Sequence, residues 1–259
     1  AVKADAKDPQ KCVAGFGGGT KRIGFNATYD SPSTGGRAVI INGASIRTTP
    51  TDSATEFTPL ALKFDAEATA PLTVSYSDAG RMNLNVRYAP TEGDERGLVM
   101  LAADQFVSKP YGIHIETDID KRPANKRCNG LTIDECPVFI AAGEPVPVRF
   151  RAVGWDGSDS EPRTAQALAD NITTPNFELS AASGAVTLEH TLLAPAGGEP
   201  GALSVTTYNH APGEMTTVEA QSISEVGIFQ LTASLNQGVN YLGESIDGGG
   251  SNLIGRFIP

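Results

Sequence analysis

Two stretches of the chain carry one pattern at an offset of 222 − 75 = 147 residues: Ser75-Tyr76-Ser77-Asp78-Ala79-Gly80-Arg81-Met82-Asn83-Leu84-Asn85-Val86 and Ser222-Ile223-Ser224-Glu225-Val226-Gly227-Ile228-Phe229-Gln230-Leu231-Thr232-Ala233. In each, an acidic residue, a small or branched one and a glycine make a tight turn. Alternation then sends Met82, Leu84 and Val86, or Phe229, Leu231 and Ala233, to one face of a strand. Each copy is a core strand that starts from a turn, and two such copies fit two β-sandwiches of related design. A chain of 259 residues has the length of two ordinary domains, each large enough for its own core. Between the copies, Gln105-Phe106-Val107-Ser108-Lys109-Pro110 reads as a linker held extended by its proline. This places an N-terminal sandwich at 1–107 and a C-terminal one at 108–259.

The rest of the sequence supports the same class. Alternating or β-branched segments recur at Ala38 to Asn42, Leu60 to Phe64, Leu72 to Tyr76, Met82 to Tyr88, Val146 to Val153, Val186 to Leu192, Leu203 to Tyr208 and Phe229 to Leu235. Asn42-Gly43, Thr34-Gly35-Gly36, Ala182-Ser183-Gly184 and Pro195-Ala196-Gly197-Gly198 punctuate them as turns. One exception is Ser160 to Leu168, where a capping Ser before Glu161-Pro162 predicts a short helix. The expected fold is all-β, two immunoglobulin-like antiparallel β-sandwich domains in tandem. Ile254 to Ile258, in a strand-like run at the end of the chain, is the candidate free edge for intermolecular strand pairing.

Twenty Lys and Arg against 30 Asp and Glu give a net charge of −10, which on average repels a nucleic-acid backbone. The longest apolar run, Gly97 to Ala103, is far short of the about 18–20 residues that cross a bilayer, so no membrane span is expected. No segment has the flanks of a signal peptide. The chain begins Ala-Val-Lys and stops inside a strand-like pattern, which reads as a piece of something longer.

Of three cysteines, Cys128 and Cys136 bracket a polar loop with little apolar content to hold it, and a disulfide would staple it. Zinc is the rival, but it needs about four N or S ligands at short spacings, and His114, His190 and His210 sit in unrelated segments. A disulfide favours an oxidising, exported setting. Cys12 is left over, free or paired outside these residues.

There is no Gly-x-Ser-x-Gly elbow and the three histidines have no evident partner, so the sequence does not read as an enzyme. Gly15-Phe16-Gly17-Gly18-Gly19-Thr20-Lys21 lacks the full phosphate-loop pattern and reads as a flexible glycine-rich connection. Asp156-Gly157-Ser158-Asp159-Ser160-Glu161 offers hard oxygen ligands from Asp156, Asp159 and Glu161, with Asp118 and Asp120 as further donors if their strand lies near. Calcium is the one cofactor these residues suggest; the alternative is an acidic loop facing water. Trp155 beside them either stacks on a sugar or anchors a partner, or plugs the end of the core, and the core reading is preferred. Lys121-Arg122 and Lys126-Arg127 form a local basic loop suited to an anionic glycan or simply to solvent.

Five short motifs stand in order: Phe106-Val107-Ser108-Lys109-Pro110-Tyr111-Gly112, Ala142-Gly143-Glu144-Pro145-Val146-Pro147-Val148, Thr174-Pro175-Asn176-Phe177, Glu225-Val226-Gly227 and Ile254-Gly255-Arg256-Phe257. With Ala61-Leu62-Lys63-Phe64-Asp65 and Ser75 to Gly80 upstream, they resemble the C-terminal conserved region of large MSHA-type (mannose-sensitive haemagglutinin) pilus biogenesis proteins, over most of residues 28–259. The resemblance implies an exported Gram-negative protein associated with type IV pili, often with a lectin-like domain elsewhere in the chain, and it assigns no catalytic residue. The expected function is a non-enzymatic extracellular structural or adhesion module, with pilus or adhesin components and surface glycan as partners. The alternative is a module that binds glycan or host protein directly through Trp155 and its acidic loop.

Overall fold

Alternation of apolar and polar side chains is satisfied by strands throughout, and no helix occurs among the described residues. The computed structural model describes residues 2–4, 7–10, 12–50, 56–117, 128–159, 161–179, 185–235, 240–246 and 248–259. The chain divides into two compact units, Ala1–Ser108 and Lys109–Pro259.

Unit 1 contains β1 (Val2–Ala4), β2 (Cys12–Ala14), β3 (Thr20–Ser31), β4 (Ile40–Ile41), β5 (Ala44–Ser45), β6 (Arg47–Pro50), β7 (Thr58–Lys63), β8 (Val74–Ser75), β9 (Gly80–Tyr88) and β10 (Met100–Ser108). Its main sheet runs β10-β9-β3-β6 with β7 also on β3, and a small sheet runs β5-β4-β8. Ile23, Phe25, Ala27 and Tyr29 of β3, Met82 and Tyr88 of β9 and Leu62 of β7 pack against Val39, Ile41 and Ile46. Each large side chain so buried contributes about 1.5–3 kcal/mol. Asn42 and Gly43 turn β4 into β5 with φ of 50° and 80°, the two-residue hairpin that their sequence signals.

Unit 2 contains β11 (Gly112–Thr117), β12 (Val138–Ala141), β13 (Val146–Val153), β14 (Val186–Ala194), β15 (Thr207–Tyr208), β16 (Thr216–Gln221), β17 (Gly227–Leu235), β18 (Asn240–Tyr241), β19 (Glu244–Ser245) and β20 (Gly248–Ile258). A sheet β11-β13-β16 faces a sheet β12-β20-β17-β14-β15. Phe150 of β13 stacks on Tyr208 of β15 with ring centroids 4.4 Å apart. Where the sheets close most tightly, a Cβ on Gly250 would stand 1.9 Å from the Ile113 carbonyl, so only glycine fits.

The repeated strands are β9 and β17, and their likeness extends to the neighbouring strand. Tyr29 opposes Met82 and Ser31 opposes Arg81, leaving Asp30 bulged; Leu192 opposes Phe229 and Ala194 opposes Ile228, leaving Leu193 bulged. Both bulged strands run into a cis peptide bond, Ser31-Pro32 and Ala194-Pro195. Gly80 and Gly227 begin their strands at φ of 139° and 144°, and a Cβ on either would stand 2.7 Å from the carbonyl of Ser31 or Ala194.

Several expectations are corrected. Gln105 to Ser108 are the end of β10 rather than linker, with the Ser108 hydroxyl donating to the Asp78 carbonyl at 2.6 Å. Residues 161–168 make turns rather than a helix: a single Leu168 N–H to Thr164 O bond at 3.0 Å is not propagated. Ser160 and the Ala182-Ser183-Gly184 turn lie outside the described residues. Ile254 to Ile258 are not an edge, because β20 is paired to β17 on one side and, in parallel, to β12 on the other. The Gly15–Lys21 stretch is anchored, since Phe16 is buried against Phe64 and Tyr88, the Gly18 N–H donates to Asp65 O and Phe64 N–H to Gly19 O.

Candidate functional site

At the end of β13 the chain is held by a bridge from Val153 to Thr173, and Gly154 N–H donates to Ile172 O at 2.9 Å. Buried Asn171 ties the loop that follows, donating to Gly154 O at 2.7 Å and to the Asp159 carboxylate at 2.5 Å. Asp156 accepts from Ser158 N–H at 2.7 Å and Asp159 N–H at 3.1 Å, while Asp159 accepts from Asp156 N–H at 3.1 Å. The Ser158 backbone bond, then its hydroxyl, hold the Asp156 carboxyl below the usual carboxylate range. Short polar side chains thus close the loop on itself, as Asp and Ser do in turns.

This loop presents Trp155, whose side chain does not plug the core as expected: the residue is 62% exposed. Ile172, also exposed, stands against the chain at Gly154. An indole held in water on a braced loop has its ring free of the core, the condition that stacking or an apolar contact requires. The carboxylates beside it have separate partners, Glu161 pairing with Arg163 at 2.9 Å. Arg163 in turn lies over the Tyr111 ring at 4.3 Å. Among the described residues no cluster of three or more His, Cys, Asp or Glu side chains is placed to hold a metal ion, and Asp156, Asp159 and Glu161 do not form one. Asp118, Asp120 and the basic residues Lys121, Arg122, Lys126 and Arg127 lie outside the described residues.

Cys128 and Cys136 are disulfide-bonded. Both are buried with Ile228 of β17, against Ala194 and Leu253 of the two flanking strands, and Arg256 Nε donates to Cys136 O at 3.0 Å. The loop they close is braced by Thr132 and Glu135, whose side chains each accept from the other's backbone N–H at 3.3 Å. Cys12 lies in β2, opposite Ala4.

Each histidine has a partner, contrary to expectation. His114 faces Glu116 at 3.2 Å and Arg151 at 3.1 Å, and Arg151 reaches on to Glu116 at 3.0 Å and to Ala169 O at 3.2 Å. Burial and then the Arg151 charge lower the His114 pKa against the pull of Glu116. His210 is buried between Phe177 and Tyr208, with the Tyr208 hydroxyl 3.2 Å from Nδ1, and burial lowers its pKa to about 4. His190 Nε2 is 2.7 Å from Pro200 O. The period-two signal that sets His114 between Ile113 and Ile115, Glu116 beside Ile115, and Arg151 between Phe150 and Ala152 was present in the sequence; Asn171 gave none.

No curated protein and no solved structure matches the chain. Residues 1–103 match a domain of unknown function, DUF6701, first Ig-like domain; 109–221 match the DUF6701 second domain and 225–259 its third. Their descriptions name neither pilus nor adhesin. The five-stranded sheet of unit 2 draws β12, β14 and β15 from the second match and β17 and β20 from the third. The three matches together run over nearly the whole chain, which belongs to the DUF6701 family.

Proposed function

We propose that the chain is a non-enzymatic, extracellular structural and adhesion module of a type IV pilus-associated surface protein of a Gram-negative bacterium, its Ig-like sandwiches holding or presenting a binding domain. The observation that carries this reading is the Cys128–Cys136 disulfide, built into the strand layer of unit 2 beside β14, β17 and β20. A crosslink in that position suits export to an oxidising compartment and reinforcement of a fold whose task is to persist. The pilus association rests on the resemblance of the motif order to MSHA-type proteins. The test is to alkylate intact cells and to probe them with antibody to this chain. Surface labelling, with Cys128 and Cys136 protected until reduction, is expected. Free thiols at both positions in a cytoplasmic fraction would sink the proposal.

Exposed Trp155 favours a second reading, a module that binds glycan or host protein directly. Calorimetric melting with calcium and with chelator separates its calcium-dependent form. Because Asp156 and Asp159 already accept the loop's own N–H groups, the expected shift is no larger than that in salt controls.

A further inference from the structure

The strand β10 is the outer strand of the unit 1 sheet, paired to β9 in an unbroken register from Met100↔Tyr88 to Ser108↔Gly80. It has no proline, no lysine and no bulge, and its single charge, Asp104, stands opposite the inward-facing Leu84. Leu101 is 71% exposed, Leu98 and Val99 just before it are exposed too, and a groove of about 320 Å³ is lined by Phe57, Asn85, Val86, Leu101, Ala102 and Ala103.

The second unit shows what belongs at such an edge. Because β9 and β17 correspond residue for residue and share the bulge on one side, β10 and β20 correspond on the other. Asn85 opposes Ala103 as Thr232 opposes Ser251. Ser251 turns its N–H and C=O away from β17: its N–H donates to Arg163 O at 3.0 Å and its C=O accepts from Ala165 N–H at 2.7 Å, in a parallel bridge. Further along, β12 pairs with the same edge, also in parallel. By this correspondence the N–H groups of Ala103 and of Gln105, two residues on, face the edge of β10, in keeping with the bond that Gln105 N–H donates to the Asp104 carboxylate at 2.8 Å.

We propose that the edge of β10, centred on Ala103, is an acceptor for an extended strand of a partner protein, running parallel to β10 and bonded to the N–H and C=O of Ala103. The strand is apolar where it meets Leu101 and the groove, and carries a lysine or arginine toward Asp104. The site stands on unit 1 and its comparison with unit 2, independently of any pilus association.

The probe is a fluorescein-labelled peptide of Val138–Glu144, a strand segment that covers the β20 edge, with Ala141→Lys and Glu144→Gln so that it carries the required cation, titrated into the full chain by anisotropy. Saturable binding is expected. Ala103→Pro, which removes an edge-facing N–H and spares the β9 ladder, should weaken it at least about tenfold, the equivalent of 1.4 kcal/mol. In case that variant misfolds, the same peptide N-methylated at alternate residues is titrated into the unaltered protein, where one of the two methylation phases should abolish binding. No saturable binding, or binding indifferent to both changes, overturns the proposal. So does a concentration-dependent dimer in sedimentation that Ala103→Pro dissolves, which would make a second copy of the chain the occupant.

Discussion

β9 and β17 are one device in two surroundings. Both are nine-residue strands that begin at a positive-φ glycine and lie beside a bulged strand ending in a cis X-Pro bond. In unit 2 the inward residues Phe229, Leu231 and Ala233 are wholly buried; in unit 1 Met82 is, but Leu84 and Val86 are only partly covered. The difference lies in the neighbours, since β20 is covered by β12 and by the Arg163–Ala165 segment whereas β10 has a bare edge among the described residues. Alternation decides which side chains face inward, and the flanking strands decide how much water they lose.

The strongest way to break this equivalence is at the shared glycines. Gly80→Ala and Gly227→Ala each force a Cβ to within 2.7 Å of a carbonyl, at a φ that alanine rarely adopts. Each should cost about 3 kcal/mol. Hydrogen exchange read by mass spectrometry should show Gly80→Ala loosening β3, β9 and β10 and Gly227→Ala loosening β14, β17 and β20. If the two variants gave losses differing by more than about 2 kcal/mol, the shared device would be a coincidence of sequence.

The histidines distinguish the units next, because all three lie in unit 2. His210 titrates near 4 in the fold against 6.5 as the ordinary value. The unfolded chain therefore binds the extra proton below pH 6.5, and stability that is complete above 6.5 is lost progressively as pH falls toward 4. The loss is about 3 kcal/mol. Urea midpoints across that range should fall for unit 2, followed by Trp155 fluorescence, and His210→Phe should flatten the fall. An undiminished slope in that variant would assign the acid response to other groups.

Reduction of Cys128–Cys136 should act on unit 2 alone, by about 2–3 kcal/mol for a loop this short. The Cys128→Ala, Cys136→Ala double variant should reproduce it and no longer respond to dithiothreitol. A matching response in unit 1 would instead place Cys12 in a disulfide of its own.

How far the sequence carried depended on whether a feature was local. Alternation in 82–88, 146–153 and 229–235 and the Asn42-Gly43 hairpin were readable because each is decided by neighbouring residues. The bulges were not, since Tyr29-Asp30-Ser31 and Leu192-Leu193-Ala194 share no side chain and are defined only by the strand opposite. The same holds for the edge: a strand-like C-terminal run suggested β20, yet pairing partners distant in sequence cover it and leave β10 bare. Trp155 was misjudged for a related reason. What keeps it out of the core is Asn171, which pins its loop from 16 positions further along the chain.

Trp155 gives the smallest energetic effect and the sharpest distinction. A tryptophan filling the end of a sandwich costs about 3–5 kcal/mol on truncation, whereas one 62% exposed should cost no more than about 0.5 kcal/mol. Trp155→Ala should therefore leave both units melting where they did. Because it is the sole tryptophan, its emission reports on that one loop, and unit 1 adds no tryptophan signal. Titration with oligosaccharides should quench or shift the emission if the indole stacks on a sugar ring. If stability is unchanged and no glycan alters the emission, the braced indole is left as an anchor for a protein partner, and the Asp156–Asp159 bonds that hold its loop are then the positions whose loss should weaken that contact without moving the melting point.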